Sequence, residues 1–232
     1  MHGVFVTGTG TEVGKTVVAA VLARTLATEG RTVAVFKPAV TGLDEEGEAD
    51  HEILRRAAGS DQSDEEIAPY RYGPPASPHL AAAMAGEEIA PERLLSAARA
   101  AAASAETLVC EGVGGLLVPL GCHVSRARAE KRDMSYLVKD LAVDLGLPLV
   151  VAASPGLGTI NHTLLTLEAA RAAGLGVRLV VLTPWPDAPS PIEESNRATI
   201  AALGGVRVET LPRLDLSDPP SWPRLPIPLP PG

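Results

Sequence analysis

Gly8-Thr9-Gly10-Thr11-Glu12-Val13-Gly14-Lys15-Thr16 follows directly on the apolar run Val4-Phe5-Val6, and the reading of this stretch decides the fold. Small residues let successive backbone N–H groups turn inward on a polyphosphate. A following helix adds the positive end of its dipole, Lys15 a point charge, and Thr16 a hydroxyl suited to Mg²⁺. The strict spacing Gly-x4-Gly-Lys-Ser/Thr needs glycine at position 9, where this chain has Thr9 between two glycines, so the loop is a variant. Val18, Val21, Leu22 and Leu26 then recur at helical spacing through residues 16–28. The loop thus joins a strand to a helix, the context a phosphate-binding loop requires.

Working outward, short β-rich runs at 4–7, 32–37, 107–111, 147–153, 178–182 and 206–211 alternate with helical patterns at 15–28, 50–58, 91–104, 135–145, 159–173 and 193–203. Alternation of this kind, with strands apolar through their length, predicts a mostly parallel central sheet covered by helices on both faces, an α/β fold of three layers and of the phosphate-loop NTPase type. A chain of 232 residues with 46% hydrophobic content supports one such domain, read as residues 1–218, with a proline-rich C-terminal tail at 219–232. That tail holds seven prolines in fourteen residues and is expected to be extended and to lie on the surface. A net charge of −8 argues against a nucleic acid or an anionic membrane surface as partner. No leader pattern opens the sequence and no apolar run reaches the ~20 residues of a membrane span, so a cytoplasmic location is expected.

Ligands of open parallel sheets sit at the carboxyl ends of the strands, which turns the residues just after each strand into candidates. Lys37 closes the second strand in Val35-Phe36-Lys37-Pro38, and a second lysine beside the phosphate loop suits a reaction in which charge builds on a transferring phosphoryl group. Thr41 and Gly42 follow in a loop. Glu111 ends the third strand, where a Mg²⁺-directed carboxylate belongs, with Gly112, Val113 and Gly114 behind it. Asp50 opens a helix and is read either as a second carboxylate for Mg²⁺ or as a helix cap. Thr16, Asp50 and Glu111 make a plausible oxygen set for that ion. The five histidines and two cysteines show no metal-ligand spacing, and Arg126-Ala127-Arg128-Ala129-Glu130-Lys131-Arg132 reads as a solvated basic stretch.

These pieces together resemble the dethiobiotin synthetases, the ATP-dependent carboxylases of biotin biosynthesis. The resemblance rests on residues 6–16, on Lys37-Pro38 with Thr41-Gly42, on Pro75-Ala76-Ser77-Pro78-His79, on Glu111-Gly112-Val113-Gly114-Gly115, and on Leu157-Gly158-Thr159-Ile160-Asn161-His162. It implies closure of a cyclic urea on 7,8-diaminononanoate (diaminopelargonate) with CO₂ or bicarbonate, ATP and Mg²⁺, by a homodimer. Carried over residue by residue, it implies Lys37 as the catalytic lysine and Lys15 as the phosphate-loop lysine. Thr16, Asp50 and Glu111 would hold Mg²⁺. Glu12, Val13, Gly14, Lys15, Thr16 and Val17 would line the phosphates, with Asp50 and Glu111 to Gly114 also near the nucleotide. Thr41 would touch the diamine or its carbamate, and Asn161 the substrate's carboxylate near the subunit interface.

One position departs from the family. An Asn-Asp pair usually reads the adenine after the fifth strand, and this chain has Thr183-Pro184, which suggests tolerance of CTP or other nucleotides. Pro212, Arg213 and Leu214 would sit over the base. Two related readings fit less well. Partitioning-type ATPases carry an early loop lysine where this chain has Gly10, and the cobyric-acid-synthase type continues into a glutaminase domain for which the residues after 211 leave no room.

Overall fold

The alternating strand and helix patterns fold as β1 (Gly3–Gly8), α1 (Lys15–Thr28), β2 (Val33–Phe36), α2 (Asp50–Ala58), α3 (Asp64–Ile67), α4 (Pro78–Met84), α5 (Pro91–Ala103), β3 (Thr107–Gly115), β4 (Pro119–Cys122), β5 (Ser135–Leu137), α6 (Val138–Leu145), β6 (Leu149–Ala153), α7 (Thr159–Ala172), β7 (Val177–Trp185), α8 (Pro191–Gly204) and β8 (Val208–Pro212). The computed structural model describes residues 2–122 and 135–227, so the basic stretch at 126–132 and the last residues of the tail lie outside the described residues.

Six strands form one sheet in the order β2-β3-β1-β6-β7-β8, and every pairing within it is parallel. Alternation along the strands sends side chains to two buried faces. Val4, Val6, Val35, Val109 and Val150 pack under α1 and α2, while Phe5, Phe36, Leu108, Cys110 and Leu149 pack under α5 and α6. Beyond them Val151, Val180 and Leu182 meet Leu167 of α7 and Ile200 of α8. The expected α/β sandwich is therefore present, with β1, which feeds the phosphate loop, in the interior of the sheet. The open edge of β2 is partly closed by a side chain: Gln62 accepts from Val35 N at 2.8 Å and donates to Val35 O at 3.1 Å, the pairing a neighbouring strand would make.

Two elements differ from the sequence expectation. The helix expected over 135–145 begins only at Val138, because Ser135–Leu137 pairs antiparallel with β4 in a small second sheet. Asp140 fixes the switch by accepting from Leu137 N at 2.8 Å, which satisfies a free N–H at the helix start. The tail is the second difference. Trp222 and Leu225 are buried, 7% and 3% exposed, among Val18, Leu22, Leu179, Val181 and Leu211. They cover the part of the sheet face over β7 and β8 that α1 and α2 leave open, and a parallel sheet is stable only with both faces covered.

His51 of α2 is buried, with its Nε2 3.7 Å from Asp64 Oδ1 and no hydrogen-bond partner on Nδ1. Burial holds its imidazole below the ordinary histidine value. Asp64 and Glu52 oppose that shift, while Arg71 and Arg55 add to it. The folded chain therefore binds fewer protons than the unfolded one just below the ordinary value of about 6.5, and stability falls as pH drops through that window. Urea midpoints measured from about pH 7.5 to about pH 5 should decline, and His51→Leu should flatten that part of the profile.

Candidate active site

The phosphate loop gains its shape from backbone conformations that few residues adopt. Gly14 caps α1 at φ 84°, and Glu12 also sits in the left-handed region at φ 58°. A Cβ added at Gly14 would lie 2.5 Å from Cγ2 of Thr183, which rises from β7 directly beneath the loop. Only glycine meets both the left-handed φ and the close approach. Gly14→Ala should accordingly destabilise the chain by about 2 kcal/mol or more, from strain plus overpacking, and weaken nucleotide binding. Denaturant unfolding and nucleotide titration check both effects.

Lys15 leads α1, is 8% exposed, and curls back to donate from Nζ to Gly10 O at 2.8 Å, spanning the concavity of the loop. Lys37 leaves β2 where the chain is pinned by Lys37 N to Ile67 O at 2.8 Å and Val40 N to Tyr70 O at 2.9 Å. Its ammonium stands 2.6 Å from Asp50 Oδ2 and 2.6 Å from Glu111 Oε1. Thr16 Oγ1 is 2.9 Å from both Asp50 Oδ1 and Glu111 Oε1, and its single proton serves one of them at a time. The loop after β1, the end of β2, the middle of β3 and the start of α2 thus converge on one cluster, in which two lysines balance two carboxylates. Glu111, expected to end the third strand, lies inside it, because the ladder with β1 continues to Gly115.

The electrostatics follow from burial and pairing. Burial works to lower the Lys37 pKa, but Glu111 and Asp50 outweigh it and hold the ammonium above its ordinary value. At Asp50 burial is likewise outweighed, by Lys37 and Thr16, so this carboxyl stays below the usual range. Glu111 has no exposure, and burial pushes it up against the pull of Lys37. Lys15 is lowered by burial, with Lys37 adding to the shift and Glu111 and Asp50 opposing it. Two desolvated cations beside a phosphate loop interact with phosphoryl oxygens more strongly than exposed ones would.

The same cluster fits a divalent cation. Glu111 Oε2 is fully buried and has no hydrogen-bond partner, an arrangement that is costly unless something charged or polar meets it. Among the described residues no group of three or more His, Cys, Asp or Glu side chains could hold a metal. Two carboxylates and a hydroxyl are instead the sparse oxygen set that suits Mg²⁺, an ion that keeps several waters and takes its remaining ligands from substrate phosphates.

A cleft of about 760 Å³ opens beside the cluster on the β2–β3 side. It is lined by Glu12, Gly14, Lys15, Thr16 and Val17 from the loop and α1, by Lys37, Thr41 and Asp50, and by Glu111, Val113 and Gly114 within β3. Residues 2–221 match the family described as AAA domain. The ATP-dependent dethiobiotin synthetase BioD of Anaeromyxobacter dehalogenans (strain 2CP-1 / ATCC BAA-258) is 42% identical over 88% of this chain and 86% of its own length. The chain belongs to the ATP-dependent dethiobiotin synthetases. The enzymes of the same name from Bacillus subtilis (strain 168) and Mycobacterium avium (strain 104) are 35% and 42% identical, over 90% and 87% of this chain and 85% and 83% of theirs. A ParA family ATPase from Chlorobium tepidum TLS superposes with a TM-score of 0.53 at 12% identity, over 93% of this chain and 88% of its own, a likeness of fold.

In this dethiobiotin synthetase, an ATP-dependent ligase by family, not every residue singled out from sequence reaches the cleft. Val13 is half-buried against the α1 side of the core, and Gly112 is buried beside Phe5 and Val138. Thr183 is buried against Gly14, whereas Pro184, Pro212 and Arg213 are exposed at the ends of β7 and β8, and Leu214 is half-buried beside them. Asn161 stands exposed in the first turn of α7, away from the cluster. The structure adds cleft residues that the sequence reading left without a role: Ala76, Ser77 and Pro78 at the start of α4, and the acidic wall of Glu45, Glu46 and Glu48. The motif Pro75-Ala76-Ser77-Pro78-His79 was the available signal for the first group. Ser77 caps α4 by position but its hydroxyl makes no capping bond, which leaves it for other partners.

Proposed function

We propose that the chain closes a cyclic urea on 7,8-diaminononanoate with CO₂, ATP and Mg²⁺ to give dethiobiotin, ADP and phosphate. The observation that carries this reading is Lys37, buried between Asp50 and Glu111 at the junction of the phosphate loop and the cleft. An amine of the substrate captures CO₂ as a carbamate and releases a proton. A carbamate oxygen attacks the γ-phosphorus of ATP, and ADP leaves, giving a carbamic–phosphoric anhydride. The second amine attacks the carbonyl carbon, phosphate departs, and the new ring nitrogen loses a proton.

Within that scheme Lys15 and the loop amides hold the triphosphate in line, and Lys37 faces the oxygens that gain charge. Thr16, Asp50 and Glu111 would hold Mg²⁺, which would supply neutralisation of the triphosphate charge. Thr41, which lines the cleft, would meet the diamine or its carbamate, and the carboxylates of Glu45 and Glu46 give the cleft wall the sign that suits an ammonium group, Glu48 being paired with Arg56. No covalent enzyme intermediate is required. A cytoplasmic enzyme is the corresponding expectation, and no described helix is long and apolar enough to cross a membrane.

The reading includes a homodimer. Leu157 and Leu165, 95% and 60% exposed, flank Asn161 around the start of α7, an apolar surface suited to a second copy that would bring Asn161 to the substrate's carboxylate. It also includes a broad nucleotide preference, because buried Thr183 and exposed Pro184 offer the base no amide side chain and Pro184 no N–H. The ratio of kcat/KM for CTP to that for ATP should lie within about tenfold of one. A ratio far below that range contradicts the preference without touching the reaction. The reaction is tested by supplying ¹³C-bicarbonate with ATP, Mg²⁺ and the diamine. One labelled carbon in a cyclic urea supports it, and unlabelled or unchanged diamine refutes it.

A further inference from the structure

Trp185 of β7 pairs with Pro212 of β8 at the carboxyl end of the sheet, two residues beyond the Thr183 side chain that lies under Gly14. The cleft with Lys37 lies on the opposite, β2–β3 side of the phosphate loop. A nucleotide with its phosphates on the loop and its reacting end toward Lys37 therefore extends its base toward residues 213–218. These follow β8 without regular structure, and an unanchored loop would pay ordering entropy on each binding event.

The loop is anchored. Trp222, itself buried, donates from Nε1 to Asp215 O at 2.7 Å. Arg56 of α2 donates from Nη2 to Leu216 O at 2.7 Å and pairs at its other nitrogen with Glu48. Leu225 N donates to Thr25 Oγ1 of α1 at 3.0 Å, a bond buried from solvent. Leu214, Leu216 and Ile227 pack at the edge of the same core. The α1 helix that receives the segment is the one whose first residues hold the phosphates.

We propose that residues 219–227 form a strap that fixes the loop 213–218 as the base-side wall of the nucleotide site, with Trp222 and Arg56 as positioning residues. The inference rests on the phosphate-loop reading above and goes beyond it by giving the proline-rich segment a part in nucleotide affinity. Prolines suit such a strap because a chain with few accessible conformations loses little entropy when it docks.

The test is calorimetric titration of the full chain with a non-hydrolysable ATP analogue and Mg²⁺, well below the melting temperature. Trp222→Phe keeps the ring and removes the N–H, and Arg56→Met keeps an apolar stem at a half-exposed site that does not endanger folding. The expected result is a Kd raised about fivefold in the first and about threefold in the second, with KM for ATP following and kcat within about twofold of the parent. A lowered melting temperature with unchanged Kd and KM in both variants would overturn the strap, leaving those contacts a packing role only. Absence of analogue binding by the parent chain would overturn the phosphate-loop reading itself, and the strap with it.

Discussion

Lys37→Ala should lower kcat by about 10³-fold or more while leaving Mg²⁺-nucleotide affinity within about threefold. The ammonium stands 2.6 Å from each of the two carboxylates, and it lines the cleft from the end of β2, off the phosphate loop. Its contribution is therefore to charge that develops during transfer rather than to ground-state binding. Removing it also leaves buried Glu111 facing partly exposed Asp50 without a cation between them, at a cost of about 2 kcal/mol, less than for a fully buried pair because solvent reaches Asp50. Glu111, already pushed up by burial, relieves part of that cost by taking a proton. Lys37→Arg separates the two effects. It restores the charge, and with it most of the stability. The planar fork cannot occupy the place of a compact ammonium between two carboxylates, so the rate stays low. Product formation, analogue titration and denaturant unfolding on the same three proteins make the comparison. Normal turnover by Lys37→Ala would remove Lys37 from the chemistry.

Lys15→Ala should fail differently, with analogue Kd raised about 10²-fold and turnover lost in proportion or beyond. Lys15 lies across the concavity of the loop, bonded to Gly10 O, where on the proposed reading it would meet the phosphates in the ground state as well as during transfer. Burial that lowers its pKa also strips it of water, which strengthens its attraction for a phosphate oxygen. The expected contrast is diagnostic: loss of Lys15 should impair binding and rate together, loss of Lys37 rate alone. Equal analogue affinity in Lys15→Ala and the parent chain would contradict the assignment of the phosphate site.

Much of this architecture is legible in the sequence because its signals are local. Strand-loop-helix punctuation around Gly14-Lys15-Thr16 and the six apolar runs rest on short-range periodicity, and the sheet assembled as those runs imply. Lys37 is legible too, since position after a strand places a side chain at the carboxyl edge, whereas Glu111, expected to end its strand, lies inside β3, whose glycine-rich second half carries no strand signal in sequence. Asp50 is ambiguous in sequence between helix cap and ligand. Its contact with Lys37 decides only in three dimensions, across residues far apart in the chain.

What stayed hidden depends on tertiary context. Strands β4 and β5 span four and three residues, too short for an alternation to register, and Ser135–Leu137 shares its apolar character with the helix that follows. The docking of Trp222 and Leu225 carries no periodic signature either. It arises because the face over β7 and β8 lacks a helix, a property of the whole sheet and not of residues 219–227. The acidic wall at Glu45 to Glu48 reads as an ordinary solvated loop until the loop is seen to close one side of the cleft.

The central claim is that phosphate transfer in this site is coupled to a diamine. The most direct measurement is phosphate release with ATP and Mg²⁺, in the presence and absence of 7,8-diaminononanoate with bicarbonate, followed by mass detection of the product. Release that depends on the diamine and appears with dethiobiotin in equal amount is the predicted result. Release indifferent to the diamine, with no cyclic product, would contradict the account and leave the chain a nucleotide hydrolase.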